Sequence, residues 1–275
     1  MKLSLLSLMF KRYSLEKTFE ITSQLGYDGL EIWGARPHAY PYDMDEAAID
    51  RVLRLKDKYR LEVPVYTPEL LAYPYNICTQ DKKERAETIA YVKQALKVGK
   101  AIGAEYVQTA FDHSGYGVTR RKIHDMVIPV IQELCEYADK TGVFFMLEPV
   151  TIWESNVGAS LYDVVDIVEK AGCPNLKVML DTATPFSHFE PFGEFLDLLG
   201  DRVVHIHFQD SDGHSDAHLP LGEGSLPLED LIGILRRHGY DKYLSVELLW
   251  PYIRDPELYA SEAIRKVRRL LNEAD

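Results

Sequence analysis

Strand-like and helix-like stretches alternate eight times along the chain. Glycines close six of the helical patterns, and the segments after the strands are longer and richer in aromatic residues and histidine than those before them. Together these observations predict an α/β fold, a single (β/α)8 TIM barrel spanning residues 1–275, because strict alternation implies a parallel sheet and eight strands close one. A length of 275 residues suits one such barrel, and 46% hydrophobic residues supply a large core without disulfide staples.

Taken in order, strands are expected at 3–8, 29–33, 62–66, 106–109, 143–148, 177–181, 203–208 and 243–248. Helices are expected at 14–26, 44–59, 81–102, 119–141, 160–171, 190–199, 227–239 and 255–272. Gly26, Gly103, Gly142, Gly172, Gly200 and Gly239 each stand between a helical pattern and a strand, where a left-handed cap belongs. No linker or low-complexity tract divides the chain. In the seventh strand, period-two alternation puts His205 and His207 on one face, toward the barrel interior, and Val204, Ile206 and Phe208 on the other, toward helices. The apolar start resembles a signal peptide, but it is too short and lacks a cleavage site, so it reads as the first strand.

Composition excludes several classes. A net charge of −12 and a pI near 5.2 speak against a nucleic-acid partner, which would demand clustered lysine and arginine. No apolar run reaches membrane-spanning length, and no phosphate-cradling glycine loop or serine nucleophile elbow is present. Cys78, Cys135 and Cys173 are odd in number and widely spaced, which favours reduced thiols in a cytoplasmic protein. A neutral or cationic small molecule fits this balance, and a homo-oligomer is left open.

Four residues close four successive strands: Glu148, Asp181, His207 and Glu247. Neighbouring strand ends of a barrel are close in space, so three carboxylates and one imidazole should converge. Like charges held in a crevice repel and lose hydration, and a divalent cation relieves both effects. Oxygen-rich ligation with one histidine favours Mn²⁺, with Mg²⁺, Co²⁺ or Ni²⁺ admitted, over zinc. Glu148 and Glu247 are also the candidates for proton transfer. His113 and His38 follow the fourth and second strands and are candidate substrate contacts, with Arg36 beside His38. Trp33 and Phe111 are candidates for an apolar wall, and His205 for a supporting role.

Glu148-Pro149, Met179-Leu180-Asp181, His205-Ile206-His207, the turn from Pro220 to Gly224, and Ser245-Val246-Glu247-Leu248 resemble the xylose-isomerase-like barrels of the sugar isomerase and epimerase superfamily. The resemblance runs along nearly the whole chain. Stretches 27–39, 66–69, 73–76 and 148–157 are similar to a branch acting at carbon 3 of ketoses with an amine-linked substituent at carbon 1. It implies a metal-dependent sugar 3-epimerase, with Glu154 bonding the sugar and His218, a further candidate substrate contact, near the metal. Thr184 and Gly213 stand where many relatives carry a substrate-binding histidine and arginine, which departs from the pattern for free ketohexoses. The alternatives are an aldose-ketose isomerase, a non-catalytic sugar-binding relative, and a DNA-repair endonuclease, the last opposed by the charge.

Overall fold

The computed structural model describes residues 1–249 and 254–273. Its strands are β1 (Lys2–Leu6), β2 (Gly29–Gly34), β3 (Val65–Pro68), β4 (Tyr106–Ala110), β5 (Phe144–Glu148), β6 (Lys177–Asp181), β7 (Val203–Phe208) and β8 (Tyr243–Val246). All pair in parallel and in chain order, and β8 returns to β1 with Ser4 opposite Ser245, closing the barrel. Around it lie α1 (Leu15–Leu25), α2 (Glu46–Tyr59), α3 (Lys82–Ala101), α4 (Arg120–Thr141), α5 (Leu161–Ala171), α6 (Ala183–Ser187), α7 (Phe192–Leu199), α8 (Leu228–Arg237) and α9 (Pro256–Glu273).

Local chemistry sets these boundaries. The Asp45 carboxylate accepts from Ala48 N at 2.8 Å to start α2, and the Asp81 carboxylate accepts from both Lys83 N and Glu84 N to start α3. Gly26 and Gly142 end α1 and α4 in the left-handed region, with φ of 84° and 76°. Arg60 takes the same conformation after α2 with no glycine to announce it. The main core lies between helices and strands, where Ile32, Leu147, Leu180, Ile206 and Val246 are fully buried.

Three expectations shift. The third strand begins at Val65 rather than residue 62, because Pro64 has no N–H to give the ladder and Glu62 meets Gly29 only as an isolated bridge. The first ends at Leu6, and Ser7–Phe10 form a 3₁₀ turn whose Ser7 hydroxyl accepts from Trp33 N at 2.8 Å. Val204 does not share a face with Ile206 and Phe208. The register slips between Val178 and Met179, so that Val203 opposes Val178 while His205 opposes Met179. The extra residue turns Val204 inward, onto Val65, Tyr106, Met146 and Met179.

Candidate metal centre and substrate cavity

Glu148, Asp181, His207 and Glu247 meet at the C-terminal ends of β5 to β8, with one ligand atom from each lying within 4.8 Å of the others. Alternation explains the convergence. Met146 and Met179 line the interior two residues below Glu148 and Asp181, so the two carboxylates point into the barrel at its mouth.

Three of the four are held from behind by hydrogen bonds. Nε2 of His207 lies 3.1 and 3.2 Å from the two oxygens of Glu31, a fully buried carboxylate that also bonds His205 Nε2 at 2.8 Å. Ser245 Oγ and Thr67 Oγ1 donate to the same carboxylate at 2.7 and 2.5 Å. With the Nε2 proton donated to Glu31, Nδ1 of His207 faces Glu148 at 2.9 Å and Glu247 at 2.8 Å. Asp181 Oδ1 accepts from Ala183 N at 2.7 Å and Thr184 N at 3.3 Å, and its Oδ2 from Gln209 Nε2 at 2.7 Å. Gln108 Nε2 donates to Glu148.

Burial opposes charge throughout, and the neighbours decide the outcome. Burial pushes the Glu148 carboxyl up to about 7, with Glu247 and Asp181 adding to the rise against the pull of His207. Burial would do the same to Glu247, but His207 and His218 hold it well below the usual range. On His207 the burial penalty is outweighed by Glu247, Glu31 and Glu148, which raise its pKa well above normal, and on His218 by Glu247 and Asp181, which raise it to about 10.

The donor set fits a divalent cation on an observation of its own. Glu247 Oε2 lies 2.8 Å from His207 Nδ1 and 3.2 Å from His218 Nδ1, yet neither approach has hydrogen-bond direction. Glu247 Oε2 and His218 Nδ1 are thus buried polar atoms left without hydrogen-bond partners. Groups that crowd one point without bonding one another are arranged around a shared ligand.

Above this centre opens a cavity of about 320 Å³. Glu154 and His218 line it, as do Trp33, Thr67, Glu69, Gln108 and Thr184. Glu154 Oε2 accepts from Thr151 N at 3.2 Å and lies 3.2 Å from Thr151 Oγ1, and burial together with Asp216 pushes its carboxyl up to about 8.

Other candidates lie elsewhere. His38 is 6% exposed, and its ring nitrogens meet Ser7 Oγ at 3.1 Å and the carbonyls of Phe10 and Tyr13 at 3.2 Å. It is a core histidine behind Trp33, outside the cavity lining, and not the substrate contact expected. His113 is outside the lining too, its Nδ1 accepting from Gly115 N at 2.9 Å within its own loop. Arg36 pairs with Asp43 at 2.5 Å on the surface, and Phe111 is fully buried core. The three cysteines are free and buried.

Glu31, Gln108 and Glu69 escaped the sequence reading. The one available signal for Glu31 was a carboxylate inside the otherwise apolar run Gly29–Gly34.

The chain's similarities accord with this geometry. Fructoselysine 3-epimerase of Escherichia coli O157:H7 is 37% identical over 273 residues, covering 99% of both chains. A solved D-tagatose 3-epimerase-like protein superposes with a TM-score of 0.84 at 22% identity over 99% of each chain. The IOLI protein with a binding zinc atom does so at 0.84 and 20% identity, over 100% of this chain and 99% of that one. No helix among the described residues is long and apolar enough to cross a membrane. Residues 19–270 match the family described as "Xylose isomerase-like TIM barrel", and with a closed eight-stranded parallel barrel the chain belongs to that family.

Proposed function

We propose that this protein is a metal-dependent 3-epimerase of a ketose or ketosamine. The observation that carries the reading is the placement of Glu148 at the end of β5 and Glu247 just past β8, two carboxylates approaching one imidazole nitrogen at 2.9 and 2.8 Å. Inverting a stereocentre needs a proton taken from one face and returned to the other, and two flanking carboxylates do this. Glu247, kept ionised by its two histidines, takes the C3 proton. Glu148, oriented by Gln108, returns one to the opposite face.

A divalent cation held by Glu148, Asp181, His207 and Glu247 would acidify the C3 proton and stabilise the enediolate as a Lewis acid. The single imidazole among three carboxylates favours Mn²⁺. Glu154, protonated near neutrality, and His218 supply hydrogen bonds to sugar oxygens from the cavity wall. The fructoselysine 3-epimerase relative supports the ketosamine branch, and three buried free thiols support a cytoplasmic setting.

With Mn²⁺ in deuterated buffer, fructoselysine or psicose should exchange its C3 proton, read by NMR. Exchange confined to C1 would overturn the epimerase reading in favour of an aldose-ketose isomerase.

A further inference from the structure

The cavity wall carries an unbalanced charge. Glu148, Asp181 and Glu247 belong to the metal centre, where a dication and the cationic His218 offset them; Glu69 and Glu154 add two more carboxylates, and no lysine or arginine is among the described residues that line the space. The two added carboxylates differ. Glu154 reaches Asp216 through Thr151, whose Oγ1 donates to Asp216 Oδ1 at 2.8 Å. Burial and Asp216 push the Glu154 carboxyl up to about 8, so near neutrality it is mostly protonated and donates to a neutral oxygen. Glu69, just past β3, receives only neutral donors among the described residues: Trp33 Nε1 on Oε2 at 2.7 Å and Ala72 N on Oε1 at 3.0 Å. A carboxylate accepts about four hydrogen bonds, so acceptor capacity is left over. Leu8, Leu70 and Leu71 line the same cavity and offer the sugar no competing charge. The same cavity contains His218 Nδ1, on a side chain 7% exposed, and Glu247 Oε2, both without hydrogen-bond partners, so it is built for a polar ligand.

We propose that Glu69 is a specificity-determining residue that receives a protonated amine of the substrate, so that the cavity selects amine-bearing ketoses over neutral ones. This rests on the 3-epimerase reading for the sugar but adds a charge requirement which that reading does not contain. The amine's N–H groups fill the open acceptor positions of Glu69, and its positive charge offsets the charge of that carboxylate.

Titration calorimetry on the Mn²⁺-loaded protein tests it with three probes: D-fructose, 1-amino-1-deoxy-D-fructose and neutral 1-acetamido-1-deoxy-D-fructose. Near pH 6, where the amine is charged, the amino sugar should bind about tenfold or more tightly than fructose, as one charged hydrogen bond predicts, and the acetamide no better than fructose. Glu69→Gln, which keeps one acceptor oxygen for Trp33 or Ala72, should erase most of that preference, and Glu69→Asp should retain part of it. Equal binding of amine and fructose by the wild type, equal binding of amine and acetamide, or a preference that survives in Glu69→Gln would each overturn the proposal. The wild-type comparisons stand even if the variants fail to fold. Deuterium exchange at C3, run in parallel, reads the epimerase function alone: exchange without an amine preference sinks the role of Glu69, and an amine preference without exchange sinks the epimerase.

Discussion

At the scale of single residues, the site is a set of carboxylates whose neighbours assign each a different state. Glu247 stays ionised because two imidazoles face it, while Glu148, farther from His218, rises toward neutrality. Glu247→Gln should therefore lower C3 exchange by roughly a thousandfold or more, the range of a lost acid-base group, while the barrel still folds. Unchanged exchange would remove Glu247 from proton transfer. Glu31 touches no cavity, yet it fixes the proton on His207 Nε2. Glu31→Gln should weaken Mn²⁺ binding by about ten- to a hundredfold in chelator competition, the usual cost of losing a histidine's carboxylate partner. The four strand-end residues were legible because each closes a strand whose period could be read. Glu31 was not, since its partners lie 174 and 176 residues away and no local pattern records them. His38 shows the reverse error: a histidine in a loop after a strand looked like a contact, but the loop folds back and buries it.

Among elements, the eight expected helices kept their spans to within about two residues, because caps such as Asp45, Asp81 and Gly142 write their ends into the chain, while the short α6 was not expected. Strands were harder. Pro64 moved the start of β3, and the extra residue in β7 turned Val204 inward, which strict alternation cannot foresee. The loop from β5 to α5 shows how an element serves the site. Gly158 has φ of 65° there, and a Cβ at that position would strike the buried ring of Phe111. Gly158→Ala should cost about 1–3 kcal/mol by strain and overpacking, seen in denaturant unfolding. The same loop carries Glu154, so the substitution should also raise KM for the sugar. A variant as stable as the wild type would show that the ring yields.

Taken whole, the metal-free molecule holds acid groups that prefer protons and basic groups that prefer to keep them. Glu148 and Glu154 have folded pKa values raised above the unfolded 4.5, to about 7 and about 8, so their ionisation weakens the fold as pH climbs from about 4.5 to 8. His218 is raised from 6.5 to about 10, so its contribution is full below 6.5 and lost as pH rises through 10. Glu31 and Glu247, both lowered, act oppositely but only below about pH 4.5, where their stabilisation is lost. Stability of the metal-free protein should thus fall between pH 5.5 and 8.5. Mn²⁺ requires deprotonated ligands, so the rise in melting temperature on adding it should be larger at pH 8.5 than at pH 5.5. A metal effect independent of pH would place the ion elsewhere.

The closed barrel, built strand after strand in chain order, leaves the residues proposed for proton transfer and metal holding at the ends of β5 to β8, while β2 to β4 and their loops bring Trp33, Thr67, Glu69 and Gln108. The first half of the gene therefore encodes one side of the cavity wall and the second half the metal centre, with Glu154 and His218 adding sugar contacts from the second half and Glu31 and Gln108 supporting the centre from the first. Exchanging the short segment after β3 for one of different charge is a route to new sugar preferences that leaves the reaction machinery untouched. A chain organised this way can diversify its diet by recombination, without first passing through inactive ancestors.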